Sequence, residues 1–173
     1  MRKYPNAILS TFLLLTTSTF ASAESHSFLF VTGKVSNSEY EPTSDSEPNY
    51  GIEVGSELLP IFNTEVVVGY SNLGEYTVGN STLKMGSFHA AIGPKFDIGL
   101  FNINFKVGGH KWKSELGQIE EDGLDPYYSA GFGVKVPGME FIELGIAYSM
   151  YQKADQGRDD RENISGNVTL HLF

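Results

Sequence analysis

Asn163-Ile-Ser-Gly-Asn-Val-Thr-Leu-His-Leu-Phe173 alternates. Ile164, Val168, Leu170 and Leu172 take one side of an extended chain, and Ser165, Asn167, Thr169 and His171 take the other, because successive side chains of a strand point to opposite faces. About ten residues with one apolar and one polar face suit either the last edge strand of a soluble sandwich or one stave of a transmembrane β-barrel. The earlier segments separate the two.

Working back from this strand, the same pattern recurs. Tyr50 to Leu58 alternates most clearly, with Tyr50, Ile52, Val54, Ser56 and Leu58 opposed by Gly51, Glu53, Gly55 and Glu57. Further strands are predicted over His26–Val35, Phe62–Tyr70, Leu83–Phe96, Phe101–His110, Tyr127–Val136 and Ile142–Tyr151. Their connections alternate in length. Polar stretches over 36–49, 71–82, 113–125 and 152–162 read as long loops, and Leu59-Pro-Ile61, Asp97-Ile-Gly99 and Pro137-Gly138 read as tight turns. Eight strands with long loops at one end and short turns at the other predict an all-β fold, an eight-stranded antiparallel up-and-down transmembrane barrel.

The face chemistry argues the same way. A soluble lipocalin-like barrel would hold bulky apolar groups inside and charge outside. Here one face of each strand is bulky and apolar, while the other is Gly, Ser, Asn and single charges, which suits the filled interior of a narrow barrel. The bulky face is therefore assigned to lipid, where only closure of the sheet can satisfy the backbone. Tyr50, Tyr70, Trp112, Tyr128 and Tyr148 fall near strand ends and are expected at the membrane interface. The inward charges are Glu53, Glu65, Glu143, Lys95, Lys106 and Lys135, with His89 and His110 nearby. Three acids and three bases balance, and are expected as paired ions crossing the interior rather than as an acid/base site.

Residues 1–23 are expected to be a secretory signal peptide, with Arg2 and Lys3, the apolar run around Phe12-Leu-Leu-Leu15 and the small residues Ala21-Ser-Ala23. The barrel domain is then 24–173. The whole chain has 12 basic and 21 acidic residues. Removing Arg2 and Lys3 leaves 10 basic against 21 acidic, a net charge of −11 that argues against nucleic-acid binding. With no cysteine, disulfide and thiolate-metal roles are excluded.

Phe105-Lys-Val-Gly-Gly-His-Lys-Trp112, the acidic stretch after it, and Asp125-Pro-Tyr-Tyr-Ser-Ala-Gly-Phe-Gly-Val134 resemble the fifth and sixth strands of OmpA-type transmembrane domains. The small OmpX/Ail-like and accessory-colonisation-factor barrels share the layout. The resemblance implies a Gram-negative outer-membrane location and a part in envelope integrity, adhesion or evasion of host defences. It carries over no catalytic residue and no cofactor. Partners implied are outer-membrane lipid and lipopolysaccharide, the barrel assembly machinery through the C-terminal strand, and an extracellular protein at the loops. Phe173 would be the assembly signal, although it shares its face with His171 and Thr169 where the family has apolar residues. With nothing after Phe173, the peptidoglycan anchoring of full-length OmpA proteins is not expected.

Two other function classes have specific residues to test. A lipid A hydrolase or acyltransferase needs a Ser and a His on one lipid-facing strand. Ser87-Phe-His89 has the spacing but faces inward on this phasing. A narrow conduit for ions or small solutes would use the charged interior. The acidic loop residues, among them Glu115, Glu120, Glu121, Asp122 and Asp125, could hold Ca²⁺ or Mg²⁺, though no EF-hand spacing is present and a solvated crown explains them equally. They do not form a basic, heparin-binding surface.

Overall fold

The computed structural model describes residues 29–40, 43–58, 63–78, 80–153 and 160–172. Eight strands follow in order: β1 (Leu29–Tyr40), β2 (Thr43–Leu58), β3 (Thr64–Val78), β4 (Ser81–Ile98), β5 (Phe101–Leu116), β6 (Ile119–Val136), β7 (Met139–Tyr151) and β8 (Arg161–His171). Each pairs antiparallel with its neighbours, and β8 returns to β1 to close the barrel. The seam runs from Phe30↔His171 to Asn37↔Ile164. Thr32 Oγ1 and Thr169 Oγ1 meet across it at 2.8 Å, and Leu172 N donates to Leu29 O at 2.8 Å. Among the described residues no helix is long and apolar enough to cross a membrane.

Alternation sorts the walls as the sequence implies. Ile52, Val54, Val68, Phe88, Ile92, Ile103, Val107, Phe132, Leu144, Ile146, Val168 and Leu170 all stand exposed on the outer face. The residues between them, including Glu53, Glu65, His89, Lys95, Lys106 and Glu143, are buried inside. Among the described residues, charged side chains point outward only at or beyond the ends of these rows, as where Lys111 stands beside Phe88.

Three expected loops are largely strand. β1 and β2 run on through most of 36–49, with Ser36↔Asn49 to Ser38↔Glu47 in register. Residues 71–78 pair with 81–87, and 113–116 pair with 119–122 across a Gly117-Gln118 turn. Gly99 and Gly117 hold positive φ of 63° and 62° in their two-residue turns, as hairpins of that length require. The turn after β4 is thus Gly99-Leu100, and Asp97 and Ile98 belong to the strand. These stretches read as loops because their polar residues were counted without regard to side. Leu73, Tyr76, Leu83 and Met85 are buried on the inner face while Glu75, Thr77, Thr82 and Lys84 point out. Leu73 is also an extra residue on β3, because Asn72 pairs with Gly86 and Gly74 with Met85. That bulge moves the inward set from odd to even numbers and hides the alternation. In the fourth expected loop, Gln152 and Lys153 turn and β8 begins at Arg161. Residues 26–28, the connection at 59–61 and Phe173 lie outside the described residues.

Candidate functional site

The interior is built from side chains that the strand pattern sends inward from every wall. Glu53 lies at its centre. Lys34 Nζ is ion-paired with its Oε1, His89 Nε2 lies 2.9 Å from the same oxygen, and Lys106 Nζ donates to Oε2 at 3.4 Å. The Tyr127 hydroxyl also reaches Oε1, at 3.5 Å. Lys106 continues to Glu65 Oε2 at 3.5 Å. A second knot follows toward the short turns, where Lys95 Nζ lies 3.2 Å from Glu57, 3.4 Å from Glu65 and 3.6 Å from Glu143. His171 Nε2 stands 3.2 Å from Glu143 Oε2. Four carboxylates thus face three ammonium groups, with an imidazole against each of two carboxylates. Burying these ions is tolerable only because each has partners in a medium of low polarity. Space is made by Gly69, where a Cβ would come 2.7 Å from both Glu53 Cγ and His89 Nε2.

Of the expected interior residues, Glu53, Glu65, His89, Lys95, Lys106 and Glu143 meet in this network. Lys135 does not. It is half-buried at the rim and pairs with Asp97 at 3.6 Å. His110 stands apart toward the other end, with Nδ1 at 3.0 Å from Ser87 Oγ and Nε2 at 2.9 Å from Gln152 O. Lys34, Glu57 and His171 belong to the network and were missed as members of it. Lys34 shares its inward parity with Phe30, whose ring is buried in the space that Gly55 leaves open. An apolar ring on the polar side made β1 look irregular. The signal for Lys34 was its even spacing from Thr32.

The remaining cavity inside the network has a volume of about 30 Å³, room for one or two waters. Above it Tyr127 and Tyr151 fill the lumen, 5.0 Å between ring centres, and His89 stacks on Tyr127 at 4.6 Å. Leu73, Tyr76, Leu83 and Met85 continue this packing as an apolar core.

On the outer wall, Tyr50, Tyr128 and Tyr148 are exposed and Tyr70 half-exposed, with Tyr70 packed on Phe88 at 4.8 Å. Trp112 corrects the expectation of an outward interface ring. It lies on the inner face of β5, 7% exposed, and its Nε1 donates to Asp125 Oδ2 at 2.9 Å. Beyond the apolar rows the outer wall carries ion pairs, Lys84–Glu75 at 3.1 Å, Lys111–Asp122 at 3.4 Å, and Lys113 with Glu115 at 2.7 Å and Glu120 at 3.0 Å. Hydrogen bonds to these two carboxylates hold the Lys113 ammonium above its ordinary range, and the Lys113 bond in turn holds Glu115 below its own. Among the described residues no group of three or more His, Cys, Asp or Glu is placed to hold a metal ion.

A closed antiparallel barrel, apolar outside and ionic inside, has the polarity of an outer-membrane protein. The sequence profile of the outer membrane protein beta-barrel domain matches residues 7–171. The chain belongs to that family. As an outer-membrane barrel its place is the bacterial outer membrane, which it crosses with the strands just described. Neisserial surface protein A superposes with a TM-score of 0.60 at 13% identity, over 84% of this chain and 96% of that one. Ail, the attachment invasion locus protein of Yersinia pestis, in complex with the heparin analogue sucrose octasulfate, gives 0.57 at 11%, over 84% and 97%. At these identities the likeness is one of fold. No curated protein sequence matches this outer-membrane barrel.

Proposed function

We propose that this outer-membrane barrel is a non-catalytic surface-interaction protein, with a role in adhesion or envelope integrity. The observation that carries the reading is the extension of β3 to β6 beyond the apolar rows. A sheet with Leu73, Tyr76, Leu83 and Met85 inside and paired charges outside is an ordered platform in water, and long ordered hairpins at one end of a barrel suit recognition better than transport. On this reading the hairpins face the exterior, 1–23 is the export leader, Tyr50, Tyr70, Tyr128 and Tyr148 anchor the barrel at the interface, and the C-terminal sequence ending in Phe173 is the signal that the assembly machinery engages.

Two observations support the absence of catalysis. Ser87 is fully buried, and the imidazole beside it has its other nitrogen on a backbone carbonyl rather than a carboxylate. Neither atom has a path for a substrate, whereas nucleophilic catalysis needs a base oriented by a third group and access to the reacting atom. A conduit is disfavoured by the 30 Å³ cavity, because eight strands leave an interior filled by side chains.

The test removes the tips of the two described hairpins, 74–83 and 114–121, one at a time, from cells that express the protein. Each truncated barrel should still migrate heat-dependently on gels, while binding of the cells to host matrix or epithelial surfaces falls at least several-fold for one of them. Folded truncations that bind as the full chain does would defeat the surface-interaction reading.

A further inference from the structure

The two ends of the barrel wall finish differently. At the hairpin end the outward rows carry Tyr50, Tyr70, Tyr128 and Tyr148, and charges follow, beginning with Lys111 beside Phe88. At the short-turn end, among the described residues, no tyrosine, tryptophan or outward lysine stands. The apolar rows run straight into the turns instead. β4 finishes with Phe96 and Ile98, Gly99-Leu100 is the turn, and β5 opens with Phe101 opposite Ile98. β6 and β7 meet across Pro137-Gly138, with Val136 paired to Met139 and Phe141 shortly after. Ile98, Leu100, Phe101, Met139 and Phe141 are all exposed. The protein does not cover its own turn tips, since a Cβ built at Gly99 or Gly138 meets no atom within 4 Å. Glu140 is the one exposed charge at this end among the described residues, while Asp97 and Lys135 pair with each other at the rim of the lumen.

Height decides what lies against this surface. From Phe88, at the level of the first outward lysine, to Ile98 is ten residues of β4, roughly 33 Å of strand. A tilt of about 40° turns that into about 25 Å across the membrane, the whole apolar band of an outer-membrane barrel. The band is therefore used up at Ile98 and Phe101, and Leu100 stands at its edge. β6 continues past Val134, the partner of Phe101, so Met139 and Phe141 lie further along the wall. A protein-binding patch would be set off by a polar rim. Here the turn surface continues without a break into the lipid-facing Phe96, Ile103 and Leu144, and that continuity selects lipid as the occupant. The hydrocarbon itself cannot take the turns, because their free N–H and C=O groups need partners. Their depth is the boundary where apolar side chains reach acyl chains and the backbone reaches head groups.

We propose that the short-turn end of the barrel is inserted in the inner leaflet, with Ile98, Leu100, Phe101, Met139 and Phe141 seated among phospholipids at the acyl–headgroup boundary. That end then offers no docking face to a soluble partner, and the lower ionic knot opens onto head groups. The choice of leaflet rests on the orientation argued above, in which the hairpins face the exterior.

The chain has no cysteine, so single thiols report cleanly. Leu100→Cys and Met139→Cys sample the two turns, Val107→Cys the lipid-facing wall and Gln118→Cys the tip of a hairpin. Each full-length variant is folded into phosphatidylcholine vesicles, with heat-dependent gel migration as the check of folding. The thiols at 100 and 139 should react with a charged, water-soluble thiol reagent at least fivefold more slowly than the thiol at 118. After labelling with a small fluorophore, both should be quenched by lipids carrying a quencher near the head group, while 107 responds best to a quencher deep in the chains. Shorter-chain lipid thins the bilayer and should raise the reactivity at 100 and 139 while leaving 118 unchanged. Reactivity at 100 and 139 equal to that at 118 would overturn the insertion, as would indifference to chain length. Protection found in whole outer membranes but absent in vesicles would assign the surface to a protein and overturn it equally. These readings do not depend on which way the barrel faces, and protease cleavage of whole cells at 114–121 tests the orientation by itself.

Discussion

β4 and β5 each carry two opposite polarities along one strand. In the lower part of β4, Phe88, Ala90 and Ile92 face out and Ser87, His89 and Lys95 face in; in its upper part Lys84 and Thr82 face out and Met85 and Leu83 face in. β5 reverses at the same level, from Val107 out and His110 in to Lys111 and Lys113 out and Trp112 in. The backbone does not change at that point, since the ladder runs unbroken from Leu83↔Leu116 to Ile92↔Val107. What changes is the solvent. Lipid demands an apolar exterior and leaves the polar groups to pair inside. Water admits charge outside and rewards apolar burial inside. The reversal therefore marks the waterline on the protein's own wall.

Three substitutions probe this contrast. The largest effect is expected from Glu53→Ala in the lower half. It takes the carboxylate from Lys34 and leaves Lys106 with Glu65 alone, and loss of one partner from a buried ionic cluster costs about 3–5 kcal/mol. Urea unfolding in lipid vesicles measures it as a drop in midpoint at unchanged slope. Val68→Arg places a charge on the outer wall among Ile52, Ile92 and their neighbours, and should cost about 2–4 kcal/mol if this level lies in hydrocarbon. The smallest is Thr82→Lys, an outward change on the same sheet above the reversal, which should stay within about 0.5 kcal/mol. The last two sharpen the comparison as a pair. Equal costs for Val68→Arg and Thr82→Lys in the same vesicles would mean that the waterline is misplaced.

The waterline also explains what could be read from the sequence. Below it, lipid imposes one rule on every strand, so Tyr50–Leu58 or Ile142–Tyr151 could be phased in isolation, and Glu53, Glu65, Glu143, Lys95 and Lys106 fell on the inner side by parity alone. Above it the rule inverts, and a reader who carries the lower rule upward sends Trp112 to the wrong face. The Leu73 bulge compounds this by shifting parity within β3. Lys34 escaped for a different reason. Its side is disguised by Phe30, which fits the interior only because Gly55, on the next strand, leaves room. Such a complement between strands has no signature in either one. The pairing of individual ions was equally invisible, because parity says which wall a charge lines and not how far its side chain reaches.

The seam between β1 and β8 sets a clock as well as a shape. Seven of the eight strand pairings join neighbours in the chain, and the eighth joins residues such as Thr32 and Thr169, 137 positions apart. Hairpins can form as soon as their own residues are available, but this contact must wait for the largest loop-closure cost in the molecule. Until it forms, the sheet has two bare edges and an ionic inner face open to whatever surrounds it. A weakened seam, for instance Thr169→Ala opposite Thr32, would lengthen that interval and give a second chain time to pair with the exposed edges. Ring closure is thus the step at which a growing sheet becomes committed to being a single-chain barrel.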